Sequence, residues 1–241
     1  MTSWTQYLIS LIVPHNILEI RALPFLCFLI ICFINIKWMR EIKKRENIGL
    51  LNGSVIFFSV PLYGMLLTIA FPDALMILLL FLSGFLFFKF YSARIEGKNQ
   101  YKFWYLSTFC FSLACITKYN AIIFGLGILI FMWAQKPILR SIFLSRHFIF
   151  SIVIFIFVQL PVFVWNVENQ FISFQFHLNT RMDSELSITN FLNNSSTFII
   201  ATTLSVSPLA TIYLYTKKNE IELGRVDQLA MSCAYHVLLV T

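Results

Sequence analysis

The chain has 241 residues, of which 59% are hydrophobic and only 12% charged. That balance leaves too little polar surface for a soluble domain and describes a polytopic membrane protein. The net charge of +7 does not imply a nucleic-acid partner, because the basic residues are dealt out loop by loop rather than gathered into one patch.

Taken from the N terminus, residues 1–23 carry no basic n-region, and the apolar piece at 7–13 is too short to span a bilayer or act as a signal peptide. Apolar runs then predict spans at about 22–39, 49–71, 74–91, 103–117, 120–135, 148–165 and 197–215. The expected architecture is therefore an all-α transmembrane helical bundle of about seven spans, with residues 1–215 as the membrane region and 216–241 as a cytoplasmic segment.

Charge placement sets the orientation. Lys37, Arg40, Lys43, Lys44 and Arg45 form one basic cluster, and Lys89, Arg94, Lys98 and Lys102 a second. Lys136, Arg140 and Arg146 form a third, and Lys217, Lys218 and Arg225 a fourth. All four fall in alternate loops, which the positive-inside rule puts on the cytoplasmic side. The opposite face keeps only Arg21, Lys118 and Arg181. Three isolated cations on a base-poor face look like positioned anion ligands rather than topology signals.

Residues 103–134 are nearly unbroken apolar sequence, interrupted at Thr117-Lys118-Tyr119-Asn120. One helix of that length would measure about 48 Å against a hydrocarbon core of roughly 30 Å, so a hairpin with Lys118 at its turn is expected. Lys118 is then either an anion ligand or a snorkelling residue that sets helix depth. Asp73 follows Pro72 at an outer helix entrance, where it can serve as a helix cap or as an acid facing a substrate. Beyond the sixth span, residues 171–176 alternate aromatic and polar side chains, which suits an interfacial helix or an aromatic wall for a lipid and a sugar. His177 reads more readily as a surface histidine than as a catalytic base or metal ligand, and Arg181 as a phosphate ligand or a partner of Asp183 or Glu185.

The other residue classes carry less. Cys27, Cys32, Cys110, Cys115 and Cys233 have no metal-ligand spacing and read as small packing residues. The 27 Phe supply lipid-facing and packing bulk, while Trp38, Trp104, Trp133 and Trp165 sit near span ends, as interface residues do. Asn193-Asn194-Ser195-Ser196 holds two overlapping glycosylation sequons, relevant only in a eukaryotic secretory setting. No repeat and no Gly-rich phosphate loop is visible.

The ordered set of Arg21 before a span, Pro72-Asp73 opening a helix, Leu113-Ala114-Cys115-Ile116-Thr117-Lys118-Tyr119, Lys136-Pro137, and Leu160-Pro161-Val162-Phe163-Val164-Trp165-Asn166 leading into Ile172-Ser173-Phe174-Gln175-Phe176 carries a resemblance. It resembles the bacterial GT-C glycosyltransferases related to protein O-mannosyltransferases and lipid A aminoarabinose transferases, over about residues 10–215. The resemblance implies transfer of a sugar from a polyprenyl-phosphate carrier to a lipid or protein acceptor, at the outer face of a bacterial inner membrane. It matches Asp73 to a catalytic acid, Lys118 with Tyr119 to the turn lysine segment, and Arg21 to the arginine that starts the following helix. Trp165 and Asn166 match the start of the later outer loop, and Arg181 a looser position beyond it. No cofactor is specified, and a divalent metal is left open.

That family also places its main acids in a first outer loop behind a first helix. Glu19 is the only acid before Arg21 here. The resemblance therefore leads to the expectation that the chain begins inside that loop, is cut at both ends, and lacks the main base. Three function classes stand: a sugar transferase, a transporter or channel, and a noncatalytic membrane subunit or pseudogene product. The scarcity of Gly, eight in all, and the placing of the candidate charges on one face count against the transporter.

Overall fold

The structure, a computed structural model, describes residues 17–46, 73–134 and 140–171. Regular structure among them is entirely helical: α1 (Ile17–Glu46), α2 (Asp73–Ile95), α3 (Tyr101–Thr117), α4 (Ile122–Ala134), α5 (Arg140–Phe143) and α6 (Arg146–Glu168). A 3-10 turn at Tyr119–Ala121 joins α3 to α4. Helices are the economical answer for such sequence, because inside a bilayer every backbone N–H and C=O must find its partner within the protein.

The central pair is α2 and α3, packed antiparallel. Phe90 meets Tyr101 and Trp104, and Phe87 meets Trp104, near one end. Ser83 and Ser107 meet midway. Ser83 Oγ donates to the Ser107 carbonyl at 3.0 Å, and Ser107 Oγ donates to the Ser83 carbonyl at 2.9 Å. Small hydroxyl residues at this crossing let the helices approach closely and give them a reciprocal polar lock. The chain turns from α2 to α3 through Gly97, whose φ of +74° a side chain would resist. There Gly97 N–H bonds the Arg94 carbonyl and Lys98 N–H the Ala93 carbonyl, the paired bonds of a Schellman stop.

The other helices flank this pair. α1 runs parallel to α2: Cys27 and Ile31 join a core with Ala74, Met76, Ile77 and Leu80, while Trp38 packs on Phe81, Phe85 and Phe88. Farther along the same contact, Lys89 pairs with Glu41 at 3.1 Å. α6 runs parallel to α3, with His147 stacked on Tyr101 at 3.5 Å, Phe150 against Tyr105, and Phe155 against Phe111. α4 returns alongside α2, its Phe131 touching Phe87 and Tyr91.

The expected all-helical class is what the described residues show, and three helices are long and apolar enough to cross a membrane: Arg21–Glu41, Asp73–Ile95 and Arg146–Glu168. These contain the expected spans at 22–39, 74–91 and 148–165. The expected hairpin at 103–117 and 120–135 corresponds to α3 and α4, of 17 and 13 residues. The expected spans at 49–71 and 197–215 lie outside the described residues, so the count of seven is not established. Trp133 and Trp165 are half exposed, as interface residues would be, but Trp38 and Trp104 are buried. Those two face α2 and pack on Phe rings there, so their position near a span end does not make them interfacial.

These directions place Arg94, Lys98, Lys102 and Arg146 at one end of the bundle, and Asp73, Lys118 and Asn166 at the other. With all five native cysteines replaced, we expect Lys98→Cys to resist a membrane-impermeant maleimide in intact cells, and Asn169→Cys to react. Labelling of both from the same side would refute the bundle directions.

Two glycines in helices make a second test. A methyl group at Gly84 would meet Trp38 at 3.5 Å and Phe124 at 3.6 Å, ordinary contact. At Gly125 it would run into the Phe111 ring, which is itself held against Phe155. Gly84→Ala should keep or raise the melting temperature in detergent, since Ala is the better helix former by about 1 kcal/mol. Gly125→Ala should lower it, an overpacking cost of about 1–3 kcal/mol. Equal responses would contradict the packing of α3 on α4.

Candidate functional site

α3 ends where its apolar sequence does. Thr117 Oγ1 donates to the Ala114 carbonyl at 2.6 Å, and Lys118 N–H donates to the same oxygen at 3.1 Å. Such local side-chain bonds compete with continued helix. Lys118 is extended, with φ −159° and ψ 125°, and the chain re-enters helix through the Tyr119–Ala121 turn. The expected break at Lys118 is thus a real change of direction.

The antiparallel register then decides what Lys118 meets. From Ser83, α2 runs ten residues to Asp73; from Ser107, α3 runs eleven to Lys118. At 1.5 Å per residue these are about 15 and 16 Å, so both side chains arrive at one level. Lys118 Nζ lies 2.9 Å from Asp73 Oδ1. The carboxylate is nearly enclosed, at 8% exposure, whereas the lysine side chain is 40% exposed. Asp73 is also the first residue of α2, where the unpaired N–H groups and helix dipole favour a negative charge.

The remaining candidates separate cleanly. Arg21 is exposed on α1. Continuing the α1–α2 offset of the Glu41–Lys89 pair puts it about one turn, roughly 6 Å, beyond the level of Asp73. Tyr119 is half exposed beside Lys118. Trp165 is half exposed at the outer end of α6, while Asn166 is buried at 5% exposure. Asn166 Nδ2 donates to the Val162 carbonyl at 2.9 Å, and its Oδ1 has no hydrogen-bond partner among the described residues. α1 and α6 flank the α2–α3 pair, so Arg21 stands on one side of the Asp73–Lys118 pair and Asn166 on the other. Arg181 and His177 lie outside the described residues.

Just past Asn166, Gln170 and Phe171 hold φ of 53° and 56°. Phe171 N–H bonds the Asn166 carbonyl at 2.7 Å and Gln170 N–H the Val167 carbonyl at 3.3 Å. The hydrogen bonds are those of a Schellman stop, but the left-handed positions carry side chains rather than Gly, at a cost of about 1–2 kcal/mol each. The strain sits at the loop expected to face substrate.

Among the described residues, no three His, Cys, Asp or Glu come together as metal ligands. Reading the residues one by one treats Asp73 and Lys118 as independent ligands 45 positions apart. The similar lengths of sequence on either side of the Glu96-Gly97 turn would have linked them. Asymmetric burial gives the pair a signature. Lys118→Met strands an enclosed carboxylate and should lower the detergent melting temperature more than Asp73→Asn, which frees a lysine that can reach solvent. The double variant should recover part of the loss, with a coupling of about 1–3 kcal/mol. Additive losses would show that the two groups do not interact.

The family described as dolichyl-phosphate-mannose-protein mannosyltransferase matches residues 1–165. That span takes in Arg21, Asp73, Lys118, Tyr119 and Trp165, and ends before Asn166 and Arg181. Neither a curated relative nor a solved structure matches the chain. A family match over about two thirds of the sequence, on a bundle of membrane-length apolar helices, is decisive: the chain belongs to the dolichyl-phosphate-mannose-protein mannosyltransferase family and is an integral membrane protein of the GT-C glycosyltransferase type.

Proposed function

We propose that the chain handles a polyprenyl-phosphate-linked sugar at the Lys118 end of the bundle, on the outer face of a bacterial inner membrane, and serves transfer of that sugar to a protein or lipid acceptor. The observation that carries this reading is the Lys118–Asp73 pair: a cation fixed at a bundle end, exposed enough to receive a phosphate, beside an enclosed carboxylate. The family supports a lipid-linked donor and a protein acceptor in general terms.

The chemistry asked of the residues is simple. An acceptor hydroxyl oxygen bonds to the sugar's anomeric carbon as the bond from that carbon to the phosphate oxygen breaks. The leaving phosphate keeps the bonding electrons. Lys118, with Arg21 from α1, holds the charge that develops on it, the usual work of fixed cations at a departing anion. Asp73 receives the hydroxyl proton. Tyr119, Trp165, Asn166 and Arg181 contact donor or acceptor around this centre. Residues 1–215 form the transferase region, and 216–241 lie on the base-rich side.

Carrier binding tests the reading directly. In nanodiscs, Lys118→Ala and Arg21→Ala should each weaken binding of polyprenyl phosphate by roughly ten- to a hundredfold, matching about 1.5–3 kcal/mol for a lost charge-assisted contact. Variants that bind as tightly as the parent would move the phosphate site elsewhere. If only stability falls, the pair is a structural pin.

A further inference from the structure

α6 is an apolar helix with one strongly polar side chain between its ends, Gln159, placed past its midpoint. A primary amide in hydrocarbon is costly unless bonded. Gln159 is bonded, and not to another side chain: its Nε2 donates to the main-chain carbonyl of Ser112 on α3 at 2.8 Å. In a regular helix that carbonyl also accepts the Ile116 N–H, so Gln159 uses its second lone pair. Ser112 Oγ is turned away into its own helix, donating to the Thr108 carbonyl at 2.7 Å.

The position of this bond has a consequence at the site. α3 and α6 run parallel, and both carry a candidate residue beyond it. Lys118 is six residues past Ser112, about 9 Å; Asn166 is seven past Gln159, about 10.5 Å. Gln159 and Asn166 also share one helix face, being two turns apart. Other α3–α6 contacts among the described residues include ring against ring, from Tyr101–His147 to Phe111–Phe155, and the Tyr105 hydroxyl to His147 Nδ1 at 2.6 Å, close to the opposite end. Stacked rings tolerate sliding; a hydrogen bond to a single carbonyl does not.

We infer that Gln159 is a positioning residue: by gripping the Ser112 carbonyl it fixes the outer half of α6 on α3, beyond the Tyr105–His147 bond, and so brings the buried Asn166 amide level with the Lys118 ammonium. Its effect on ligand rests on the function proposed above, but its effect on register does not. Register is read with spin labels at the lipid-facing positions Phe109 on α3 and Phe163 on α6, with Leu106 and Ile149 as the pair near the opposite end. Gln159→Met keeps the length of the side chain and removes the donor. It should shift the Phe109–Phe163 distance by about 1.5 Å or more, or visibly broaden it, as the outer half of α6 loosens, while the Leu106–Ile149 distance, beside the retained Tyr105–His147 bond, changes less. The same variant should weaken polyprenyl phosphate binding at least threefold. Gln159→Glu, a neutral acid at this depth whose O–H can donate to the same carbonyl, should restore both values. This rescue separates loss of the bond from a general loss of fold.

Unchanged outer distances in Gln159→Met overturn the inference, and so does failure of Gln159→Glu to restore them. A shifted register with undiminished phosphate binding overturns the positioning role and leaves a structural clamp. A parent chain that binds no polyprenyl phosphate overturns the proposed function alone, since the spin-label distances still decide what Gln159 does.

Discussion

The antiparallel register of α2 on α3 is the constraint on which the site depends. It is held by the reciprocal Ser83–Ser107 bonds, by a ladder of Phe87, Phe90, Tyr101 and Trp104 rings below them, and by Asp73 and Lys118 above. Interhelical bonds of this kind are worth only about 0.6 kcal/mol each in a membrane. Their contribution is specificity more than strength. Aromatic surfaces alone would allow several registers, whereas the hydroxyls can both be satisfied in one. Once that register is chosen, two charges 45 residues apart have no alternative but to meet.

The two flanking helices are fastened in different ways. α1 uses a buried Trp38 wedged among three Phe rings and an ion pair between Glu41 and Lys89. Lys89 also lies over the Phe85 and Phe103 rings, so its stem and its charge are both used. α6 is held largely through one face and leaves Phe157, Ile149 and Phe163 outward. A helix so lightly held needs directional contacts to define its height, and Gln159 supplies one for its outer half as the Tyr105–His147 bond does for the other end. Proteins in bilayers cannot rely on hydrophobic burial for this purpose, because lipid is as apolar as the helix surface.

The Lys118–Asp73 pair combines structural and chemical demands on the same atoms. The carboxylate is enclosed, so it needs a cation or a proton; the ammonium is open on one side, so it can answer to a second anion. An arriving phosphate would compete with Asp73 for one lysine. Ionisable residues near the apolar core of a membrane are costly to keep, and the function proposed above would give this pair a use.

Much was legible in the sequence because the bilayer is a severe solvent. Apolar run length alone located α1, α2 and α6, the Thr117-Lys118-Tyr119-Asn120 interruption located the hairpin turn, and alternating basic loops sorted the bundle ends, since each follows from local cost per residue. An ordered set of short motifs was enough to point to the family. What the sequence could not display is which faces meet. Trp38 and Trp104 look interfacial by position and are core by packing; Asp73 and Lys118 look like separate residues and are one pair; Gln159, which no sequence pattern singles out, bonds a neighbouring helix. Each of those outcomes depends on helix direction, register and rotation, which are set by contacts between residues distant in the chain. Only the tertiary structure decides them.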